Sequence, residues 1–363
     1  MLRVLHVITD LNTGGAEKLM ADLLPRLAKD EIEVELVVFN GVITPFFEAL
    51  SKAGIKIHKF GTKANYYSPM HIVRLVRLAR QFDIVHTHNT APQFFGAISS
   101  MFCRKKWITT EHTTTSHRRV WWFRPIERWM YRRYATVVAI SEGAAAAVRE
   151  VTGKKGPEIR VIPNGVDLAR YEHASSLDRA SIGRSLRDKK VILMVGRLSY
   201  QKDQATIIRA MTKLPENVEL WLAGNGETEG ALKTLALETG VSDRVCFLGM
   251  RTDVPALLKA ADVVVQSSHI EGFGLAAVEA MAAGKPVIAS DIPGLHDVVG
   301  GAGLLFEHEN DNQLADGVTC LLNDEALYNA LIEKGRQRAK LYGINQMAER
   351  YLDVYSVKYT FLN

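Results

Sequence analysis

The sequence predicts two α/β domains, each a parallel sheet covered by helices on both faces. Three observations carry this reading. Short apolar, β-branched runs alternate with amphipathic stretches along the chain, as buried parallel strands and their crossover helices do. The pattern breaks at a turn-rich segment, "VIPNGVDLARYEHASS" (161–176), and restarts beyond it. The length of 363 residues also exceeds one ordinary domain.

In the first half the predicted strands are "VLHVIT" (4–9), "VELVVF" (34–39), "IKIHKF" (55–60), "DIVHTH" (83–88), "WITTEH" (107–112) and "TVVAIS" (136–141). Helices are expected between them, over 15–28, 69–81 and 91–101 among others. The second half repeats the alternation with "VILMVG" (191–196), "VELWLAG" (218–224), "RVCFLG" (244–249), "DVVVQSS" (262–268) and "PVIAS" (286–290). A final helix near 345–361 carries Tyr351, Tyr355 and Tyr359 at i, i+4 and i+8, so one face should be packed. We expect a first domain over 1–165, with the C-terminal helix (about 345–363) packing back on it, and a second over 166–344. Ligands of doubly wound sheets gather at the C-terminal ends of the strands, so two such domains would share a cleft there.

A hydrophobic fraction of 47% and a charged fraction of 23% are those of an ordinary soluble protein. Cys103, Cys246 and Cys320 are far apart, without metal-ligand or redox spacing, which argues for a reducing compartment. The N-terminus lacks the features of a signal peptide, and no apolar run approaches the ~20 residues of a membrane span. The expected location is cytoplasmic, peripheral on the inner face of the membrane at most. Charge is divided: residues 1–165 carry +10 and residues 166–363 carry −5, so the first half should face an anionic partner.

Four stretches carry chemistry. In "TDLNTGGAEK" (9–18), Gly14 and Gly15 follow a strand and open a helix, where backbone can approach a ligand; a plain turn explains them equally well. The fingerprint G-x-G-x-x-G is absent there, which disfavours a dehydrogenase. "VGRLSYQKD" (195–203) places Arg197 and Lys202 just past a buried strand, a pair of cations suited to a diphosphate, or two solvated surface charges. "LAGNGE" (222–227) is a further glycine turn at a strand end, ambiguous on its own. "EGFGLAAVEA" (271–280) sets Glu271 and Glu279 around a helix start near Gly274, whose N–H groups suit an anion while the two acids suit sugar hydroxyls. Cations, a helix start and hydroxyl acceptors together match a nucleotide diphosphate sugar. There is no Asp-x-Asp and no His/Cys cluster with ligand spacing, so we expect neither metal nor cofactor.

These stretches and others resemble the retaining glycosyltransferases of family 4, which have the GT-B architecture of two facing Rossmann-like domains. The matching residues are "TGGAE" (13–17), "EHT" (111–113), "SEG" (141–143), "VIPNGVD" (161–167), "GRLSYQKD" (196–203), "AGNGE" (223–227), "EGFGLAAVEAMAAGKPVIAS" (271–290) and "GLLF" (303–306), in the family's order across nearly the whole chain. Glu271 and Glu279 keep the family's E-x7-E spacing. The resemblance implies that Arg197 and Lys202 neutralise the donor diphosphate, and that Glu271 lies beside the transferred sugar. Backbone N–H groups of Phe273, Gly274 and Leu275 would bind hydroxyls or phosphate. Glu279 would accept from the ribose, Met250 would meet the base through its backbone, Gly15 would admit the donor, and His112 would lie near the sugar. It also implies retention of anomeric configuration and UDP as the carrier.

The acceptor side is read from "HRRVWWFRPIERWMYRRY" (117–134), with six arginines and three of the five tryptophans. Arg118, Arg119, Trp121, Trp122 and Arg124 suit an anionic membrane surface or a diphosphate-bearing lipid, though a Trp face in the core and an Arg face in water is the plainer reading. Nucleic acid is not expected as a partner, because the remaining motifs argue for small-molecule chemistry. The predicted activity is transfer of a hexose or N-acetylhexosamine to a lipid-linked or polysaccharide acceptor in cell-envelope glycan synthesis. A nucleotide-sugar 2-epimerase, which needs no acceptor, and a non-catalytic nucleotide-sugar-binding protein are the alternatives.

Overall fold

The structure, a computed structural model, describes residues 1–12, 14–29, 31–61, 66–113, 123–182 and 189–356. The chain divides into two compact units, Met1–Gly165 with the segment from Ile344 onward, and Val166–Gly343.

The first unit is built on a seven-stranded sheet of order β3-β2-β1-β4-β5-β6-β7. Its strands are β1 (Leu2–Ile8), β2 (Ile32–Val38), β3 (Lys56–Lys59), β4 (Ile84–His88), β5 (Lys106–Glu111), β6 (Thr136–Ala139) and β7 (Glu158–Val161). Every pairing is parallel, with Val4 of β1 opposite both Val34 and Ile84. Strands covered on both faces bury side chains on both, which is why β1 and β2 are largely apolar and every residue of β4, polar ones included, is buried.

The second unit repeats the plan with six parallel strands in the order β10-β9-β8-β11-β12-β13. They are β8 (Lys190–Val195), β9 (Val218–Ala223), β10 (Val245–Gly249), β11 (Val263–Gln266), β12 (Val287–Ser290) and β13 (Leu304–Phe306). Winding starts at the centre of each sheet and reverses there. The switch points lie between β1 and β4 and between β8 and β11, where strand order predicts ligand sites.

Two strands were not anticipated. β7 is an edge strand whose residues alternate between exposed and half-buried, so no apolar run announces it. β13 is a three-residue strand between Gly303 and a charged turn. The turn-rich segment 161–176 is also less of a linker than expected. Leu168–Glu172 is a helix with Tyr171 buried in the second unit, and the change of unit falls between Gly165 and Val166.

The helix Ile344–Ser356 packs on the first unit, burying Ile344, Met347, Ala348, Tyr351, Val354 and Tyr355 in a core shared with the helix Gly15–Leu27 and the first sheet. Tyr359 lies outside the described residues. No helix among the described residues is long and apolar enough to cross a membrane.

The chain enters this packing at Gly165. A Cβ there would stand 2.7 Å from the Ile344 Cα and 3.0 Å from the Met347 Cβ, closer than packed carbon atoms approach. Gly165→Ala should therefore cost about 1–3 kcal/mol by overpacking. Urea unfolding checks this, and an unchanged midpoint would show that the terminal helix is loosely held.

Candidate active site

In the second unit the loop that leaves β8 lies backbone against backbone on the loop that leaves β9. A Cβ at Gly224 would stand 1.9 Å from the Gly196 carbonyl oxygen, and one at Gly226 would stand 2.0 Å from that of Leu198. The glycines of "LAGNGE" thus serve close approach, with Leu198 N–H donating to Asn225 O and Gly224 N–H to Gly249 O. The β8 loop then turns through Asp203, whose positive φ and carboxylate cap the helix Gln204–Ala210.

On the other side of the switch point, the loop after β11 is tied to the same segment. His269 and Ile270 donate from backbone N–H to Gln201 O, and Ser267 Oγ donates to Asp203 O. Gly274, at φ 96°, starts the helix Leu275–Ala282; the Ala277 N–H turns back to Gly274 O, while those of Leu275 and Ala276 precede the first turn of the helical ladder. Lys202 and Glu271 meet across the switch point as an ion pair, both side chains largely buried. Arg197 is mostly exposed and pairs with Glu227 at 3.1 Å. Glu279 is buried, Phe273 packs edge-on against Tyr342, and Met250 stands exposed beyond β10.

In the first unit, Gly14 caps the helix Gly15–Leu27. A Cβ at Gly14 would meet the Glu17 carboxylate at 2.1 Å, so this acid crowds the helix start. Glu17 accepts from Asn89 Nδ2 at 3.1 Å across the β1/β4 switch point, and burial raises its pKa. In the same unit His112 stands just past β5, partly buried, with its Nε2 bonded to His88 Nδ1 at 3.1 Å. The bonding runs inward: His88 Nε2 to His6 Nδ1 (3.0 Å), His6 Nε2 to Tyr355 Oη (3.2 Å) and Tyr355 Oη to His86 Nδ1 (2.7 Å). It ends with His86 Nε2 to Thr110 Oγ1 (2.8 Å) and Thr110 Oγ1 to Tyr351 Oη (3.0 Å). Desolvation holds these rings neutral, with His6 lowered to about 3 and His112 to about 4.

With this geometry in view, similarity to known proteins is informative. Residues 13–170 match the family model described as Glycosyltransferase Family 4, and residues 179–338 match that described as Glycosyl transferases group 1. The chain belongs to glycosyltransferase family 4. It is 29% identical to an uncharacterized glycosyltransferase of Methanocaldococcus jannaschii over 76% of each chain. It is also 29% identical to a glycogen synthase of Mycobacterium tuberculosis, over 80% of this chain and 69% of that one. In fold it resembles Anabaena Alr3699/HepE, solved in complex with UDP and glucose, at a TM-score of 0.87 and 22% identity over 99% of this chain and all of that one. The architecture of this glycosyltransferase is GT-B, with two parallel-sheet α/β domains.

Of the residues singled out in the sequence, the structure brings Lys202 and Glu271 into contact and sets Gly274 and Leu275 at the adjoining helix start. The two cations there are not isolated charges. Arg197 and Lys202 each have a carboxylate partner, because Glu227 and Glu271 lie on loops that the backbone packing draws in. Gly14, Gly15 and His112 belong to the first unit and are described with it. Arg118, Arg119, Trp121 and Trp122 lie outside the described residues. Arg124 begins the helix Arg124–Tyr131, pairs with Glu150, and lines an open pocket with Arg128, Trp129, Arg132 and Arg133.

The sequence reading missed Glu227 as a partner and missed the imidazoles behind His112, since a strand lists residues in order and not the neighbours its register supplies. Spatially, though not by spacing, two groups among the described residues place metal-ligand atoms together: His6, His86 and His88, whose ring nitrogens already bond within the chain described, and Asp203, His269 and His308.

The buried imidazoles impose a pH dependence. His6 binds a proton near pH 6.5 when unfolded but only near pH 3 when folded. Between those values the unfolded chain holds the extra proton, so stability is full above pH 6.5 and falls as pH drops. For His6 alone the loss from pH 7 to pH 5 is about 2 kcal/mol. Urea midpoints over that range should fall in the wild type and fall less in His6→Gln; parallel slopes would show that His6 takes no part.

Proposed function

We propose that this glycosyltransferase transfers a hexose or N-acetylhexosamine from a nucleotide diphosphate sugar, with UDP as carrier, to a lipid-linked or polysaccharide acceptor in cell-envelope glycan synthesis. The observation that carries the reading is the Lys202–Glu271 pair beside the start of the helix Leu275–Ala282, across the switch point of the second sheet. The UDP and glucose complex of the fold neighbour and the glycogen synthase relative support the donor and a polymeric acceptor.

In this reading Arg197, Lys202 and the N–H groups of Phe273, Gly274 and Leu275 bind the diphosphate. Glu271 accepts from sugar hydroxyls, Glu279 from the ribose, and the backbone at Met250 pairs with the base. Gly15 leaves room for the donor, with Glu17 already against Gly14, and His112 contacts the transferred sugar. The acceptor oxygen forms a bond to the anomeric carbon as its bond to the diphosphate breaks. The electron pair leaves on the phosphate oxygen, which also takes the acceptor's proton. Attack on the leaving-group side retains configuration. Fixed cations and a helix start stabilise the charge that grows on the diphosphate, so a metal is not required. The pocket of Arg124, Arg128, Arg132, Arg133 and Trp129 would meet the anionic headgroups of a membrane or lipid acceptor.

Incubation with UDP-, GDP- and ADP-sugars in the presence of a chelator tests the donor through slow hydrolysis. Release of UDP and free sugar is expected, whereas an epimerised sugar would identify an isomerase. Arg197→Ala and Lys202→Ala should each lower kcat by ~10²–10³-fold, and near-wild-type turnover would remove that residue from the role. Co-sedimentation with anionic vesicles at low salt should weaken on Arg128→Glu with Arg132→Glu. If the wild type does not bind such vesicles, the membrane contact is wrong.

A further inference from the structure

The seven polar groups from Tyr351 to His112 form one unbranched hydrogen-bonded chain, and it has a direction. Each ring is neutral and therefore has one N–H and one bare nitrogen. A ring passes the direction on unchanged, and a hydroxyl can reverse it only by accepting from both sides and stranding its own hydrogen.

Two directions keep the chain unbroken from end to end. If hydrogens point inward from His112, His112 Nε2–H donates to His88, His88 to His6, His6 to Tyr355, Tyr355 to His86, His86 to Thr110, and Thr110 to Tyr351. Tyr351 must then place its own O–H somewhere, yet it is fully buried and Thr110 is its one hydrogen-bond partner among the described residues. A buried donor is stranded. If hydrogens point outward, Tyr351 donates to Thr110, Thr110 Oγ1–H to His86 Nε2, His86 Nδ1–H to Tyr355, Tyr355 O–H to His6 Nε2, His6 Nδ1–H to His88 Nε2, and His88 Nδ1–H to His112 Nε2. Every buried donor then has an acceptor. Stranding one donor biases the equilibrium by roughly tenfold or more toward the outward direction.

We infer that the chain Tyr351–Thr110–His86–Tyr355–His6–His88 fixes the tautomer of His112, so that its Nδ1 carries hydrogen and acts only as a donor. Nε2 is occupied by His88 Nδ1–H, and Nδ1 has no protein partner among the described residues. A ring held this way can donate to an oxygen of the ligand but has no free nitrogen to take the acceptor's proton. General base catalysis by His112 is thereby excluded, and the proton is left to the departing phosphate. His88, His6 and Tyr355 are positioning residues: they touch no substrate and act through His112. The inference rests on the proposed contact of His112 with the sugar only for its catalytic consequence, not for the tautomer.

The test is two-bond ¹H–¹⁵N correlation spectroscopy of the full-length protein labelled at histidine, with His112 assigned by loss of its signals in His112→Gln. At pH 7, His112, His88, His6 and His86 should all show hydrogen on Nδ1, the minority tautomer of free imidazole. Hydrogen on Nε2 of His112 would overturn the inference. Tyr355→Phe removes the O–H that polarises His6; a second, Nε2–H population of His112 should appear, and kcat should fall about tenfold. If Tyr355 were merely structural, that variant would lower Tm and leave the His112 tautomer in place, which also overturns the inference. The two readings separate cleanly. Nδ1–H on His112 with full turnover of His112→Ala defeats the sugar contact alone. Nε2–H with turnover lost in His112→Ala defeats the tautomer alone.

Discussion

The loop after β8 can lie where it does only because residues 224 and 226 have no side chain. The carbonyl oxygens of Gly196 and Leu198 occupy the space a Cβ would need. That contact fixes the path of the backbone on both sides of Arg197, and Leu198 anchors the loop in the core. From there the chain reaches Lys202 and the capped helix start at Asp203, to which Ser267 and the residues after β11 are bonded. The same device recurs at Glu271, whose carbonyl oxygen would stand 2.3 Å from a Cβ at Gly294. Loops from different strand ends are thus joined backbone to backbone, without flexible side chains between them. A site built this way holds its charged groups within the tolerance that catalysis requires.

In the first domain the corresponding constraint is polar. The face between the sheet and the helix Ile344–Ser356 holds imidazoles and hydroxyls where an ordinary core would hold Leu and Ile. Each such group costs free energy unless bonded, so the tyrosines of the terminal helix are required to complete the set. Docking of that helix is made specific as well as favourable: a shift along its axis would strand Tyr351 and Tyr355 at once. Residues at opposite ends of the chain, His6 and Tyr355, are bonded for this reason.

Periodicity made the fold legible wherever strands were buried on both faces. It failed at β7, where solvent on one side leaves charged residues in the strand, and at β13, where three residues are too few to show a period. The site was legible in its residue types and less so in its pairing. Lys202 and Glu271 could be named because each sits at a strand end beside a turn. That they neutralise one another, and that Glu227 does so for Arg197, depends on strand order. The chain behind His112 was hidden for a related reason. "VHTH" reads as an alternating strand, and only the register of β4 between β1 and β5 shows that His86 and His88 face His6, Thr110 and His112.

The two cations of the second domain are not equivalent. Arg197 has a side chain 69% exposed, so water screens its pairing with Glu227 and the exchange of that partner for a phosphate is nearly neutral. Lys202 is 23% exposed and held by a carboxylate that is itself largely buried. Drawing its charge toward a diphosphate weakens a pair in a medium of lower dielectric, and does so most favourably once the leaving group has gained its extra charge. On the proposed reading Arg197 can turn to the diphosphate at little cost, and both cations answer the charge that appears as the glycosidic bond breaks.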